Sequence, residues 1–138
     1  MAEWRWLAEW RGAKPGASRA LARMASNFKS LVAYQRAREL ADELHSIVAR
    51  WPAFDRDSVG LQLIRSADSV AANIAEAGGR WTVADKRHFL IIARGSLYET
   101  EHWLDCARAR RLISDDRDQQ LAAIARALNG LVNRSRPN

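Results

Sequence analysis

Two helical segments that meet at Gly78-Gly79 constrain the fold of this chain more than any other feature of its sequence. Apolar residues recur every three or four positions on both sides of these glycines, which is the spacing of an amphipathic helix. Before the glycines the stripe is Leu63, Ala67, Val70, Ile74 and Ala77, and after them it is Leu90, Ala93, Leu97, Thr100, Leu104 and Ala107. Glycine ends a helix readily because it lacks a Cβ, so the pattern predicts a helical hairpin. Apolar faces this wide need further helices to cover them, and the rest of the chain is expected to supply those helices.

The composition favours a single all-α domain. The chain has 138 residues, of which 48% are hydrophobic and 28% charged, with 3 prolines and 7 glycines. This length suits one domain, and the scarcity of helix breakers and of β-branched runs favours helices over strands. Four predicted helices with three short connections give an up-down-up-down antiparallel four-helix bundle over residues 28–138. The single cysteine, Cys106, excludes an intramolecular disulfide and fits a reducing compartment.

The first two helices have predicted starts at residues that can cap a helix. Helix 1 is predicted over residues 31–50, with Ser30 as its N-cap. Helix 2 is predicted to begin near Asp57 or Ser58, since either side chain can accept a hydrogen bond from the first turn. Phe54, in the connection between them, is expected to fold back on the end of the bundle.

The last two helices also have predicted caps. Helix 3 is predicted to open at Thr82, with Asp85 in an arrangement like a capping box, and to run unbroken to about Arg111. Gly95 in its interior costs about 1 kcal/mol relative to alanine. The close approach of a neighbouring helix is the expected compensation for that cost. Helix 4 is predicted to begin after Ser114, whose hydroxyl can act as the cap.

Helix 2 has more apolar surface than its own three companions are expected to cover. Beyond its main stripe, the apolar surface is widened by Leu61, Ile64, Ala71 and Ala75. A helix that is apolar on two sides is buried on two sides. In a bundle of four helices, one of those sides is expected to face another copy of the chain, which predicts a homo-oligomer.

Residues 1–27 differ in composition from the rest of the chain. They hold Trp4, Trp6 and Trp10 among five basic and two acidic residues. One interpretation is an arm that stacks on RNA or docks on a partner. The other is a disordered tail or a translated upstream stretch, because Met24 looks like a natural start. The chain shows neither a run of the roughly 20 apolar residues that a membrane span needs nor a secretory signal pattern, so the cytoplasm is the expected location.

The residues around the predicted hairpin resemble a known family. The residues that carry the resemblance are Gly60-Leu61-Gln62, Arg65, Ser69 through Glu76, Arg80, Phe89-Leu90, Ala93 through Leu97, Glu99 and Glu101. They resemble the bacterial four-helix bundle proteins, also called 23S rRNA intervening-sequence proteins, and the resemblance covers about residues 28–131. It implies an antiparallel four-helix bundle that assembles into a ring-like homo-oligomer, commonly a pentamer, with no established enzymatic activity. RNA binding is a suggestion carried by the family, whose name comes from inserts within rRNA genes.

The chain departs from the family pattern at two positions. Ala77 stands where glycine is usual, and Ile64 stands where a second basic residue is often found. The first departure affects only the end of helix 2. The second weakens any claim that a basic pair at this place binds phosphate.

A set of charged, polar and small residues on helices 2 and 3 is interpreted as structural. It comprises Arg65, Asn73, Glu76, Arg94, Gly95, Ser96 and Glu99. Buried charges need partners and an antiparallel hairpin supplies them, so ion pairs and caps are expected to fix the register of the hairpin and the contact between subunits. Counting outward from the turn predicts a salt bridge between Arg65 and Glu99. The alternative is that these residues form a recognition cluster.

A basic and aromatic cluster near the predicted hairpin turn is the candidate RNA-binding site. Its members are Arg80, Trp81, Lys86 and Arg87. Cations neutralise phosphate groups, and an indole ring can stack on a base. A symmetric ring would repeat the cluster along one rim and multiply weak contacts. RNA or an RNA-handling protein is therefore the expected partner, besides further copies of the chain.

Two pairs of residues have spacings that suggest catalysis or metal binding, and we prefer neither interpretation. Arg38 and His45 fall near one face of helix 1, where a histidine can act as general acid or base beside an arginine that stabilises phosphate charge. The Glu99-x-x-His102 spacing is found in di-iron bundles, but helix 4 offers no inward carboxylate to complete such a site. We therefore expect no metal, no cofactor and no enzymatic activity, and the alternative is a helical-bundle ribonuclease that uses Arg38 and His45.

Overall fold

A computed structural model describes residues 27–135, and every regular element in that range is helical. Four helices carry the fold, and they are α1 (Val32–Val48), α2 (Leu61–Gly78), α3 (Val83–Ala109) and α4 (Asp118–Arg134). No strand occurs between residues 27 and 135, which confirms the predicted all-α class with four helices. The predicted arm of residues 1–27 lies outside the described residues, apart from Asn27.

Each helix packs against two of the others. α2 lies against α1 and α3, and α4 lies against α3 and α1, with the most extensive contact between α2 and α3. In that contact Ser66 meets Thr100, and Ser69 meets Ser96. The partner on α3 moves backward along the chain as α2 moves forward, so these two helices are antiparallel.

One core holds the four helices together. Its fully buried large side chains come from every helix, namely Leu40, Leu44, Leu63, Ile74, Leu90, Leu104, Ile124 and Leu128. Burial of each such side chain contributes about 1.5–3 kcal/mol. The periodicity in the sequence identified most of this core, because the residues that recur every three or four positions are the ones that face inward.

The start of α3 agrees with its predicted cap, whereas the start of α1 does not. Thr82 Oγ1 accepts a hydrogen bond from the Asp85 N–H at 3.0 Å, which satisfies a backbone donor of the first turn. The prediction of Ser30 as the cap of α1 is wrong. Leu31 occupies that position without a capping side chain, and Ser30 Oγ donates to the carbonyl oxygen of Asn27 at 2.9 Å. The segment Phe28–Ser30 is itself a short 3₁₀ turn, so Ser30 lies within a turn rather than before a helix.

The helical backbone before α2 begins earlier than predicted. A helical turn at Ala53–Asp55 and a wider π turn at Arg56–Gly60 lead directly into α2, so neither Asp57 nor Ser58 caps it. Phe54 is 83% exposed, so the prediction that it folds back on the bundle is wrong.

Gly60 allows the end of α1 to approach the start of α2. A Cβ at this position would lie 2.6 Å from Val48 Cγ1 and 3.3 Å from the Trp51 ring, closer than side chains tolerate. Gly60 belongs to the Gly-Leu-Gln motif that was singled out in the sequence. Its role is steric, because any larger residue would push α1 and α2 apart.

The link between α3 and α4 also differs from the prediction. Ser114 does not cap α4, because Arg117 occupies the N-cap position and Asp116 Oδ1 accepts the Asp118 N–H at 2.7 Å. α3 ends within two residues of the predicted position, and Arg111 just beyond it has a φ of 59°, in the left-handed region that favours glycine. Within residues 27–135, none of the helices is both long and apolar enough to cross a lipid bilayer.

Candidate functional site

A ladder of small polar side chains joins α2 to α3. Ser69 Oγ lies 2.8 Å from Ser96 Oγ, and Thr100 Oγ1 donates to Ser66 Oγ at 3.1 Å. Asn73 Nδ2 extends the ladder by donating to Ser69 Oγ at 2.9 Å and to the Ser69 carbonyl oxygen at 2.8 Å. We call these five residues the hydroxyl ladder. Polar pairs inside an otherwise apolar contact favour one register, because any shift leaves buried groups without partners.

The ladder contains two of the residues singled out as structural and three that were not. Asn73 and Ser96 were in the predicted set, and both take part in the ladder. Ser66, Ser69 and Thr100 were not in that set, although Ser66 and Thr100 are buried. The signal that could have revealed them is a hydroxyl residue on each apolar stripe, at antiparallel positions that face each other.

Lys86 is part of the interior and not of the surface. Its side chain is 0% exposed, and Nζ donates hydrogen bonds to the carbonyl oxygens of Ala77 and Gly78, both at 3.2 Å. A cation at this place satisfies the unpaired carbonyls at the C-terminal end of α2 and opposes the negative end of the helix dipole. Burial lowers the pKa of the Lys86 ammonium from 10.5 to about 8.

The assignment of Lys86 to a solvent-facing RNA cluster is therefore wrong. Lys86 lies four residues before Leu90, so it continues the inner stripe of α3 toward the turn. The same spacing that located the core could have placed this lysine inside it. Its charge acts on α2, as a cap, and is not presented to a ligand.

Arg80 connects the end of α2 to the first turns of α3. Its Nη2 lies 2.5 Å from Glu76 Oε1, and its guanidinium carbon lies 4.4 Å from the centre of the Phe89 ring. The first contact is an ion pair one turn apart on the same helix, and the second is a cation–π contact. Glu76 and Arg80 were both predicted to take part in structural or binding contacts, and here they contact each other.

The surface at this turn is made by Arg80, Trp81 and Arg87, which we call the turn surface. Trp81 is 59% exposed, the Arg80 side chain is 43% exposed, and Arg87 is half-buried. Among the described residues, the buried Nε atoms of Arg80 and Arg87 have no hydrogen-bond partner. An exposed indole in the turn and the guanidinium groups of Arg80 and Arg87 supply, respectively, a stacking surface and donors suited to phosphate.

The remaining predicted structural residues lie farther along α3. Arg94 Nη1 donates to Asn129 Oδ1 of α4 at 3.3 Å, and Glu99 Oε1 accepts the Trp103 indole N–H at 3.2 Å. Gly95 is exposed, and a Cβ at this position would have no atom within 4 Å apart from the helix's own backbone and its chain neighbours. The predicted close approach of a helix at Gly95 is therefore wrong within this chain.

The predicted Arg65–Glu99 salt bridge does not form within the chain. Both residues are exposed, and the ion pairs among residues 27–135 do not include them. The hydroxyl ladder sets Ser66 opposite Thr100, so Arg65 lies nearer to the level of residues 100–101 than of residues 96–99. The register of α2 against α3 is therefore offset by about two residues from the count made around the turn.

The two residues of the ribonuclease alternative are both on the surface of α1. Arg38 donates to the Tyr34 hydroxyl at 3.2 Å and lies 3.7 Å from Asp42, and these contacts raise the pKa of its guanidinium. His45 is exposed. No hydrogen bond joins Arg38 to His45 among the described side chains.

Metal ligation has little support in the described part of the chain. Within residues 27–135, no group of three or more His, Cys, Asp or Glu side chains is placed to hold a metal ion. On α3, His102 Nε2 lies 3.7 Å from Cys106 Sγ.

These features define an all-α protein in which four helices share one core and a hydroxyl ladder fixes the contact between two of them. Residues 29–134 match the family described as the 23S rRNA-intervening sequence protein. The match covers most of the chain, so the chain belongs to that family, as its hairpin motifs predicted. A comparison with curated proteins finds no match.

Proposed function

We propose that this protein is a non-enzymatic, self-associating antiparallel four-helix bundle that binds RNA through its turn surface. The up-down-up-down order is supported by the packing of each helix on two neighbours and by the antiparallel contact of α2 with α3. An RNA-related role is supported by the family to which the chain belongs, whose name refers to 23S rRNA. The cytoplasm is the compartment in which we propose that it acts.

The observation that carries the RNA proposal is the exposure of Trp81, which follows Arg80 in the turn and precedes Arg87 in the first turns of α3. An indole that is 59% exposed gains little from folding, because most of its apolar surface stays in water. Stacking on an unpaired base would bury that surface, and such stacking needs no particular sequence. Single-stranded loops and bulges in RNA present bases in this way, whereas the interior of an RNA helix does not.

The charges around Trp81 favour an anionic partner. The chain has a net charge of +6, and two arginines lie near Trp81 in the sequence, Arg80 directly before it and Arg87 six residues after it. Glu76 neutralises part of the Arg80 charge, so Arg87 is the stronger candidate for a phosphate contact. Binding that depends on a few such contacts weakens as salt displaces the cations from the phosphates.

The experiment is a binding titration with a fluorescent single-stranded RNA and with a perfectly paired duplex. Trp81→Ala removes the stacking surface, which is worth about 1–3 kcal/mol per base and so raises Kd roughly 5- to 150-fold. Arg87→Ala is expected to weaken binding less and to reduce its salt dependence. Arg110→Ala is the matched control, because it removes an exposed arginine at the other end of α3. Equal affinities for the wild type, Trp81→Ala and Arg110→Ala would contradict the proposal.

Self-association is supported by apolar side chains that the four helices leave in contact with solvent. Leu61 on α2 and Ile91, Ile92 and Tyr98 on α3 are all exposed. Ala71, which was expected to contribute to the same surplus, is instead buried within the chain. We propose a homo-oligomer, and the ring-like pentamer implied by the family resemblance is the arrangement to test first.

We propose no catalytic step for this chain. The ribonuclease alternative depends on Arg38 and His45, and Asp42 lies close enough to Arg38 to oppose the charge that it would offer to a phosphate. The arginine of a working pair would instead have to stabilise charge that develops on the phosphate.

A further inference from the structure

We propose that Arg80 is a second stacking surface beside Trp81, so that the turn surface binds RNA with two successive unpaired nucleotides. One base stacks on the Trp81 indole, and its neighbour stacks on the Arg80 guanidinium. This inference rests on the proposed RNA binding and names the feature of RNA that the turn surface recognises. It gives Arg80 a role other than the phosphate contact that its charge suggests.

Arg80 is held in place by two partners from different helices. Its guanidinium carbon lies 4.4 Å from the centre of the Phe89 ring on α3, and its Nη2 lies 2.5 Å from Glu76 Oε1 on α2. A free arginine side chain loses conformational freedom when a ligand fixes it. Arg80 has already lost much of that freedom in the folded protein, so a ligand can bind it at a lower entropic cost.

The Arg80 side chain remains accessible to a ligand although it is held. Its Nε is buried, whereas the side chain as a whole is 43% exposed. Phe89 covers one side of the guanidinium, so a ligand approaches from the other side. The guanidinium is planar, and unpaired bases of RNA stack on such planes as they do on aromatic rings.

The charges at Arg80 favour a base over a phosphate. Glu76 offsets part of the charge of Arg80, and its carboxylate would repel a phosphate that approached Nη2. A nucleobase has no net charge, so the carboxylate does not exclude it. The face of a base is attracted to the cation, as the Phe89 ring is on the opposite side. The expected arrangement is therefore a stack of Phe89, Arg80 and one base.

The two stacking surfaces belong to adjacent residues of an anchored turn. The Cα atoms of Arg80 and Trp81 are about 3.8 Å apart, as across any trans peptide bond. The Arg80 N–H donates to the Ala77 carbonyl oxygen at 3.3 Å, and that oxygen also accepts a hydrogen bond from Lys86 Nζ at 3.2 Å. Thr82, directly after Trp81, caps α3. Because the residues on both sides of Trp81 are anchored, two successive unpaired bases can use both surfaces, whereas a single unpaired base can use only one.

The test compares three fluorescent RNA duplexes that differ only in a bulge of no, one or two unpaired adenosines. The wild type is expected to bind the two-adenosine bulge more tightly than the one-adenosine bulge. Arg80→Lys keeps the charge but removes the planar group, so its Kd for the two-adenosine bulge should rise about 2- to 30-fold. Its Kd for the one-adenosine bulge should equal that of the wild type, because that base stacks on Trp81.

A second variant and two matched controls accompany Arg80→Lys. Phe89→Leu removes the ring that holds Arg80 but keeps an apolar side chain, and it should raise Kd for the two-adenosine bulge alone, by a smaller factor than Arg80→Lys. Arg110→Lys and Phe54→Leu make the same substitutions at exposed residues away from the turn surface. Both controls should bind all three duplexes as the wild type does. Melting temperatures establish that each variant is folded.

The outcomes separate this inference from the proposal of RNA binding. A wild type that binds the bulged duplexes no more tightly than the perfect duplex contradicts both. Binding that is lost in Trp81→Ala but unchanged in Arg80→Lys on every duplex overturns the role of Arg80 and leaves RNA binding standing. If Arg80→Lys weakens binding to the one- and two-adenosine bulges by the same factor, Arg80 acts through the fold or the charge of the turn. That result also overturns the inference.

Discussion

Lys86 Nζ lies 3.2 Å from the carbonyl oxygen of Gly78, so a lysine from the first turns of α3 closes the C-terminal end of α2. The ammonium group is buried, and it holds the two helices together at the turn that carries Arg80 and Trp81. A lysine in this place links the stability of the hairpin to pH, because burial disfavours its charged form.

Stability of the wild type relative to Lys86→Met should rise with pH between about 8 and 10.5. Burial lowers the pKa of Lys86 from 10.5 to about 8 in the folded state, so the unfolded chain binds the proton more tightly. Below pH 8 both states keep the proton and the folded state bears the full cost of burying the charge. As the pH rises through this window that cost is relieved, by on the order of 3 kcal/mol.

The measurement is urea unfolding of the wild type and Lys86→Met at pH 7, 8, 9 and 10. The methionine variant is the control, because it shares every other titrating group. If the unfolding free energy of the wild type minus that of Lys86→Met stays constant or falls as the pH rises, burial does not lower the pKa of Lys86.

Removing one hydroxyl of the Ser69–Ser96 pair should lower the unfolding free energy nearly as much as removing both hydroxyls. Ser69→Ala leaves Ser96 Oγ, which is buried, without its side-chain partner, at a cost of about 1–3 kcal/mol. In Ser69→Ala/Ser96→Ala no hydroxyl is left behind, so the second substitution should add little. A double-mutant cycle by chemical denaturation measures the coupling.

The matched control for the ladder is Ser46→Ala on α1. Ser46 Oγ is exposed and donates only to the Asp42 carbonyl oxygen one turn earlier, so its loss should change stability by less than about 0.5 kcal/mol. Purely additive effects of Ser69→Ala and Ser96→Ala would mean that the two hydroxyls do not interact.

The helical periodicity of the sequence was enough to predict the four helices, but not the partners of their polar residues. The buried stripe of α3 continues to Lys86, and the charge of that residue led to its assignment to the surface. The expected Arg65–Glu99 contact depended on the register of α2 against α3, and the periodicity within each helix does not fix that register. The predicted caps failed at Ser30, which lies inside a 3₁₀ turn, and at Ser114, because α4 begins four residues after it.

The contact of Arg117 with Glu43 should stabilise the junction of α4 with α1. The Arg117 side chain is 12% exposed, and its Nη1 donates to Glu43 Oε2 while Nη2 lies 3.1 Å from Asp115. Glu43→Gln removes the charge but keeps the shape, and it should lower the unfolding free energy by about 1 kcal/mol, since the pair is partly exposed. Glu39→Gln is the control on the same helix. An equal loss of unfolding free energy in the two variants would show that the Glu43–Arg117 contact does not stabilise the protein.

The purified protein should not cleave RNA, and substitution of His45 should therefore have no effect on RNA incubated with it. A general acid or base contributes about 10²- to 10⁴-fold to a rate, so His45→Ala would abolish a true activity. We expect the wild type, His45→Ala and Arg38→Ala to leave RNA of the same length distribution after long incubation. Cleavage by the wild type that both variants lose would establish the ribonuclease alternative instead.

The molar mass of the purified protein in solution tests the central claim most directly. Light scattering after ribonuclease treatment, with the absorbance ratio at 260 and 280 nm recorded before and after, separates self-association from bridging by RNA. We expect a mass several times that of the 15.6 kDa chain, unchanged by the treatment, with nucleic acid present beforehand and removed by it. A mass of 15.6 kDa with no nucleic acid at any stage would contradict both self-association and RNA binding.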